Sequence, residues 1–259
     1  MTAELKSTSQ GQTLILTLSN PEHRNALGPE MYAAGVEALS VAESSSEVRS
    51  VVITGAGTMF SAGGNLQRLR ANREQPPSVQ VQSIEGLHSW IEAVRTFPKP
   101  VIAAVEGAAA GAGFSLALAC DFIIAADNAV FVMAYSNIAL SPDGGATWSL
   151  ARALPRQLVN ELLMSGERIS AARLQQLGVV NQVTAPGGAL AAAQALAEKL
   201  NGRATNVMAS IKELVSDAME STLSTQLASE RDHFVRNLHH ANAGIGIEAF
   251  LARQTPRYD

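Results

Sequence analysis

The chain has one cysteine, Cys120, among 259 residues. An intrachain disulfide is therefore impossible, and a cysteine-built metal site is not expected. An excess of positive charge is also missing. Nineteen Lys and Arg against 23 Asp and Glu give a net charge of −4, which argues against a partner such as nucleic acid or an anionic membrane. The first ten residues hold no apolar h-region, so no secretory signal is expected and the protein is read as cytoplasmic. No stretch has the Leu, Ile and Phe content of a membrane span. Val101 to Ala119 is long enough, but it contains Glu106 and three glycines, and half of it is Ala or Gly, which fits a buried strand, turn and helix better. Internal repeats and low-complexity tracts are absent. So are three well-known ligand loops. No Gly-Lys-Ser/Thr follows a glycine loop. Position 116 is Leu where a dinucleotide fingerprint needs its third glycine, and Gly113-Phe-Ser-Leu-Ala117 lacks the second glycine of a nucleophile elbow.

What remains is a chain with the composition of a soluble globular protein, 47% hydrophobic and 16% charged, long enough for one large core. Leu14 to Leu18 reads as a strand, and Pro29 opens a helix over Glu30 to Val41. Val51 to Thr54 is a buried strand ending at Gly55. Residues 71 to 80 are polar, contain Pro76 and Pro77, and read as a mobile surface loop. Ser83 to Phe97 has a helical period, stopped by Pro98 and Pro100. Val101 to Val105, Phe122 to Ala126 and Val130 to Met133 are further strands. From about Ala189 the strand signals vanish, leaving helices at 189–200, 205–219, 222–240 and 244–253. The organisation is thus an α/β body with right-handed crossovers over residues 1–188, and a helical region over 189–259.

Two strands run into runs of very small residues, at Phe60 to Asn65 and at Gly107 to Gly113. Near Gly111, Ala112 and Gly113 a ligand could approach the main chain closely. The free N–H groups at the start of the next helix would then favour an oxyanion. Two such junctions suggest backbone donors converging on one point. The plainer reading is that small residues let a helix pack tightly on the sheet.

The stretch from Pro100 through Val101-Ile-Ala-Ala-Val-Glu-Gly-Ala-Ala-Ala-Gly-Ala-Gly113, with Ala119-Cys-Asp121 after it, resembles the signature of the crotonase superfamily, the enoyl-CoA hydratases and isomerases. Pro21 to Leu27 is similar to the family's early CoA-contacting turn, and Phe60 to Asn65 to its first oxyanion loop. Ser165 to Ala171, Leu177 to Val180 and Glu248 to Phe250 follow in the family's order, so the resemblance spans nearly the whole chain. It implies a crotonase-like (ClpP/crotonase) spiral of ββα units, with a C-terminal helical region that builds homotrimers, often paired into homohexamers. It implies an acyl-CoA thioester as substrate, with coenzyme A as part of that substrate and no metal or other cofactor. Gly64 and Ala112 would supply the two N–H groups of the oxyanion hole. Arg24, Ala26, Ala62, Gly64, Leu66 and Phe250 would contact CoA, with Arg24 the best phosphate partner, Arg68 a weaker one, and Phe250 near the adenine across a subunit boundary.

The chain departs from the hydratases at their two glutamates, whose positions hold Ser115 and Tyr135. Neither replaces a carboxylate that activates water or delivers a proton. A carboxylate does occur at Asp143. By resemblance this is where isomerases and dehalogenase-like members carry a catalytic aspartate, and the surrounding residues look closest to the phenylacetate-pathway isomerases. The alternative is that Asp143 merely caps the helix beginning near Ala146. His88 stands where the dehalogenase-like members place a water-activating histidine, or else is a half-exposed helix residue. These residues imply double-bond or ring isomerisation of an enoyl-CoA with Asp143 as acid and base. The alternatives are a single-acid hydratase (a lyase), and a hydrolase with Asp143 as nucleophile and His88 as base. A Clp-type peptidase centred on Ser115 finds no triad partners. A non-catalytic scaffold remains the bland reading. The loop at 71–80 and the helix near His88 and Ile91 would shape the acyl end of the pocket.

Overall fold

The computed structural model describes residues 3–258. Strands β1 (Glu4–Gln10) and β2 (Thr13–Ser19) form an antiparallel hairpin. Helix α1 (Pro29–Ser44) leads to β3 (Ser50–Gly55), which pairs parallel with β2. Then come α2 (Leu66–Asn72), α3 (Pro77–Thr96), β4 (Val101–Val105), β5 (Ala108–Ala110) and α4 (Ala112–Ala119). Strands β6 (Phe122–Ala126) and β7 (Val130–Val132) precede α5 (Ala146–Ala153), α6 (Arg156–Ser165), β8 (Arg168–Ser170), α7 (Ala171–Gln176) and β9 (Gln182–Thr184). Four helices complete the order: α8 (Ala189–Asn201), α9 (Thr205–Ala218), α10 (Leu223–Leu238) and α11 (Ala241–Leu251).

Two sheets result, β1-β2-β3-β4-β6-β9 and β5-β7-β8. Successive turns of chain give one strand to each: β4 then β5, β6 then β7. The turn before them gives β3 to the first sheet and a single bridge, Ser61 to Ala109, to the second. This is the expected spiral of ββα units. The central strands read as unbroken Val, Ile and Ala because both faces of the large sheet are buried. One face carries Leu16, Leu18, Val51, Ile53, Ala103 and Val105 into the main core with Trp90, Phe114 and Phe131. The other carries Ile15, Val52, Ile102, Ala104 and Ile124 against Ala189, Ala193 and Ala197 of α8. Those three alanines lie four residues apart, so they share one face of α8 and let it lie close on the strands.

Three expectations need correction. The segment 71–80 is mostly helical: only residues 73–76 separate α2 from α3. Asn65 caps α2 by accepting from the amides of Gln67 (3.0 Å) and Arg68 (3.2 Å), and Asn72 Nδ2 donates to Gln80 Oε1 at 2.7 Å. Pro77 occupies the first turn of α3, where a missing N–H costs nothing, so that helix starts six residues before the expected Ser83. A polar hairpin strand, β1, was also not expected. Among the described residues no helix is long and apolar enough to cross a membrane.

Candidate active site

The site begins where the two small-residue loops press together. Ser61 N–H donates to Ala108 O (3.0 Å) and Ala110 N–H returns a bond to Ser61 O (2.9 Å). A Cβ on Gly63 would stand 2.4 Å from Ala110 O and 3.2 Å from Ala112 N, and one on Gly113 would stand 2.7 Å from Ser61 Cβ. The loops thus meet at distances that only glycine permits. Both gaps lie beside the amides of interest. Ala112 is the first residue of α4, so its N–H has no acceptor within the helix. Neither it nor the Gly64 N–H donates a hydrogen bond among the described residues.

The early turn braces this junction from below. Arg24 and Asn25 are both left-handed, with φ of 52° and 55°, a conformation that Asn tolerates better than most residues. The buried Asn25 amide donates to Ala56 O (2.9 Å) and Met59 O (2.7 Å). Arg24 O accepts from Ala62 N–H at 2.9 Å, and Leu27 N–H donates to Gly63 O at 2.7 Å. The turn therefore fixes the height of the first loop whatever else it contacts.

Asp143 faces the junction across the cavity. Its Oδ1 accepts a 2.6 Å hydrogen bond from the Tyr135 hydroxyl. It does not cap α5: Gly145 is the N-cap residue, and no side chain bonds the first amides there. The carboxylate is thus committed to the cavity. Tyr135 is held high in pKa, first by burial and then by the negative charge of Asp143, so it stays a donor. Its ring also passes 3.5 Å from where a Cβ on Gly111 would lie, packing the phenol onto the second loop. Ser115 is 1% exposed and does not line the cavity. Its hydroxyl donates to Asp143 O at 3.0 Å, anchoring the backbone of the loop that carries the carboxylate.

The cavity holds about 530 Å³ and is lined by Gly64, Ala62, Leu66, Ala112, Tyr135, His88 and Asp143 among others. Asp143 is the only carboxylate on that lining among the described residues. Arg68 also reaches it and pairs with Glu30 at 3.5 Å. Arg24, Ala26 and Phe250 do not line it: Ala26 is buried, Arg24 is exposed on the early turn, and Phe250 is 82% exposed on α11. One lining residue had no sequence signal beyond being aromatic on α1. Tyr32 is 6% exposed and lines the cavity. A second cavity lies between the body and α9, where Asp121 accepts from Val101 N–H (2.8 Å) and from Lys212 Nζ (2.9 Å). Among the described residues no group of three or more His, Cys, Asp or Glu is placed to hold a metal.

A spiral α/β body with paired free amides facing a half-buried carboxylate defines an enzyme of the crotonase type. The chain belongs to the enoyl-CoA hydratase/isomerase family, whose model matches residues 8–259. It is 37% identical over 246 residues to the 1,2-epoxyphenylacetyl-CoA isomerase of Escherichia coli K12, covering 95% of this chain and 94% of that protein. It is 32% identical to the 2,3-dehydroadipyl-CoA hydratase of the same organism, covering 99% and 98% of the two chains. A crystal structure of an enoyl-CoA hydratase from Polaromonas sp. JS666 superposes with a TM-score of 0.98 at 70% identity, covering 98% of this chain and 99% of that one.

Proposed function

We propose that this enzyme isomerises an enoyl-CoA, shifting a double bond or opening a ring, with Asp143 as the one acid and base. The observation that carries the reading is the carboxylate: among the described residues Asp143 is the only one that lines the cavity, and its Oδ1 is already held by Tyr135. The thioester oxygen would accept from Gly64 N–H and Ala112 N–H. Asp143 would take a proton from the α- or γ-carbon through its other oxygen, forming an enolate whose negative charge rests on that thioester oxygen. Returning a proton to the other carbon, in part after exchange with solvent, moves the double bond and restores the carboxylate. A group that picks up and redelivers one proton needs no second acid. Coenzyme A enters as part of the substrate, and neither metal nor redox cofactor takes part.

Hydration is the second reading, and relatives with hydratase and dehydratase names keep it in view. It would need a second group to handle water, and Ser115 is buried away from the cavity. The hydrolase reading would place His88, which does line the cavity, as base beside a nucleophilic Asp143. On the surface, α10 and α11 expose Leu223, Phe234, Phe250 and Leu251, and we assign this face to contacts between copies in a trimer or hexamer. There Phe250 would approach the adenine of a neighbouring copy's CoA, while Arg24 would face CoA phosphate.

The test is a panel of acyl-CoAs incubated in heavy water and read by mass spectrometry. Deuterium should enter the α or γ position, and Asp143→Asn should lower its uptake by about 10²- to 10⁴-fold. Uptake retained in that variant overturns the role of Asp143. Rapid formation of a 3-hydroxyacyl-CoA from crotonyl-CoA would favour hydration. An ¹⁸O label from water in Asp143 after one turnover would favour the hydrolase.

A further inference from the structure

Tyr32 is a buried phenol whose hydroxyl has no hydrogen-bond partner among the described residues, yet it opens onto the active-site cavity. The ring is 6% exposed and is fixed from two sides. Trp90 lies with its ring centroid 6.3 Å away, tilted by 43°. Across the helix interface, a Cβ built on Gly86 would lie 3.4 Å from Tyr32 Cδ2, in ordinary contact with the ring. The phenol therefore has little freedom to swing out to solvent. Its pKa is pushed up, first by burial and then by the negative charge of Asp143, against a smaller opposing effect of Arg68, so the hydroxyl keeps its proton and is a donor.

The Tyr32 hydroxyl is not among the fully buried atoms that lack a partner, so in the free protein it keeps access to the cavity. A ligand that fills the cavity would have to supply its acceptor, because a desolvated hydroxyl without one is costly. The donors around the reacting centre are already assigned. Tyr135 is spent on Asp143, and in the reading above Gly64 and Ala112 serve the thioester oxygen. Tyr32 is left for a different atom of the bound molecule. Its neighbours on the lining include both apolar Leu87 and Ile84 and polar Ser83 and Gln80, which suits a short carbon skeleton carrying a polar atom.

We propose that Tyr32 is a specificity-determining residue, and that the acyl group of the substrate carries an oxygen acceptor beyond the thioester. A hydroxyl, a carbonyl and a ring or chain ether share the chemistry that Tyr32 would recognise. A plain hydrocarbon chain that displaced water from the phenol would leave it unpaired, the situation in which an enzyme discriminates most strongly against the analogue lacking the polar group. This inference rests on the acyl-CoA reading of the site but not on which reaction follows.

Binding to the whole protein tests it without turnover. Hexanoyl-CoA, 6-hydroxyhexanoyl-CoA, 6-methoxyhexanoyl-CoA and 6-oxohexanoyl-CoA are titrated calorimetrically, alongside 4-hydroxy and 4-oxo analogues to vary reach. The native protein should prefer at least one oxygenated ligand by about tenfold or more, and Tyr32→Phe should erase that preference. The methoxy ligand, an acceptor only, separates a donating phenol from one that accepts. Heavy-water exchange with 3-hexenoyl-CoA and 6-hydroxy-3-hexenoyl-CoA is run in parallel. Absent exchange with intact ligand preference would refute the isomerase reading and leave the inference standing. Equal affinity of the native protein for all ligands overturns the inference. So does a Tyr32→Phe variant, folded by circular dichroism, that weakens every ligand in the same proportion.

Discussion

Replacing Gly63 by alanine should disable catalysis while leaving a folded protein. The residue has φ of 85°, and its added Cβ would lie 2.4 Å from Ala110 O and 3.2 Å from Ala112 N. An ordinary carbon–oxygen contact lies roughly 1 Å further out, and the first loop cannot retreat freely because Leu27 N–H holds Gly63 O at 2.7 Å. The relief is therefore a parting of the two loops that carry the Gly64 and Ala112 amides. A misplacement of about 1 Å at reacting groups can cost about 10²-fold, and the loss of one oxyanion donor about 10²- to 10³-fold, or about 2.7–4 kcal/mol. The expected result is a fall of that size in kcat for solvent exchange or isomerisation, with a smaller change in KM, because the oxyanion contact strengthens in the transition state. Gly11→Ala is the control. Gly11 has φ of 55° and nothing within 4 Å of a built Cβ, so it bears only the left-handed strain of about 1–2 kcal/mol. Its thermal midpoint should fall while its rate holds. A Gly63→Ala protein that melts cooperatively and turns over within about threefold of the native rate would refute the pairing of the two amides.

Two further results follow from the phenols and from Ser115. Tyr32 and Tyr135 both have pKa values raised by burial, whereas a free tyrosine titrates near pH ~10. Their contribution to stability is therefore complete below about pH 10 and is lost as the pH rises above it, because the unfolded chain ionises first. Absorbance at 295 nm should show phenols that ionise late in the folded protein, one fewer in each of Tyr32→Phe and Tyr135→Phe. Loss of stability setting in well below pH ~10 in the native protein alone would reverse the sign of that argument. Ser115→Ala removes one of the two donors to Asp143 O, the other being Ala146 N–H at 3.3 Å, and should cost about 0.5–1.5 kcal/mol in denaturant unfolding, the net worth of one hydrogen bond. An unchanged unfolding midpoint would show that the loop does not depend on that bond.

The sequence makes the α/β alternation and the meeting of two small-residue loops legible because both depend on rules written in residue type, while the spiral path comes from the family resemblance. Buried parallel strands need Val and Ile, and loops that touch need glycine. Three features escape it for physical reasons. Strand β1 is almost wholly exposed along Glu4–Gln10, so it has no buried face to impose alternation. Strand β5 is three alanines, with no strand preference of their own; pairing with β7 and the Ser61 bridge holds them extended. Helix α2 shows itself mainly through the Asn65 cap. Within the site, Asp143 is visible in the sequence as a carboxylate at a particular place, but capping and catalysis share the same residue type, and capping is set aside only by the structure, where no side chain bonds the first amides of α5 and Tyr135 donates to Oδ1. Tyr32 gave no sign because an aromatic on the buried side of α1 looks like any other core residue until its hydroxyl is seen to lack a partner.

The alanine face of α8 has a consequence for how the molecule is made. The strands it covers carry Ile15, Val52, Ile102 and Ile124, and the residues that cover them are Ala189, Ala193 and Ala197. One whole side of the central sheet is thus sealed by a segment synthesised long after most of its strands. A chain emerging from the ribosome presents a greasy, unfinished surface until α8 arrives, a stage at which association with other chains competes with folding. The slow element in reaching the native state is then the return of a late helix to strands laid down early, since contacts between distant parts of a chain form slowly.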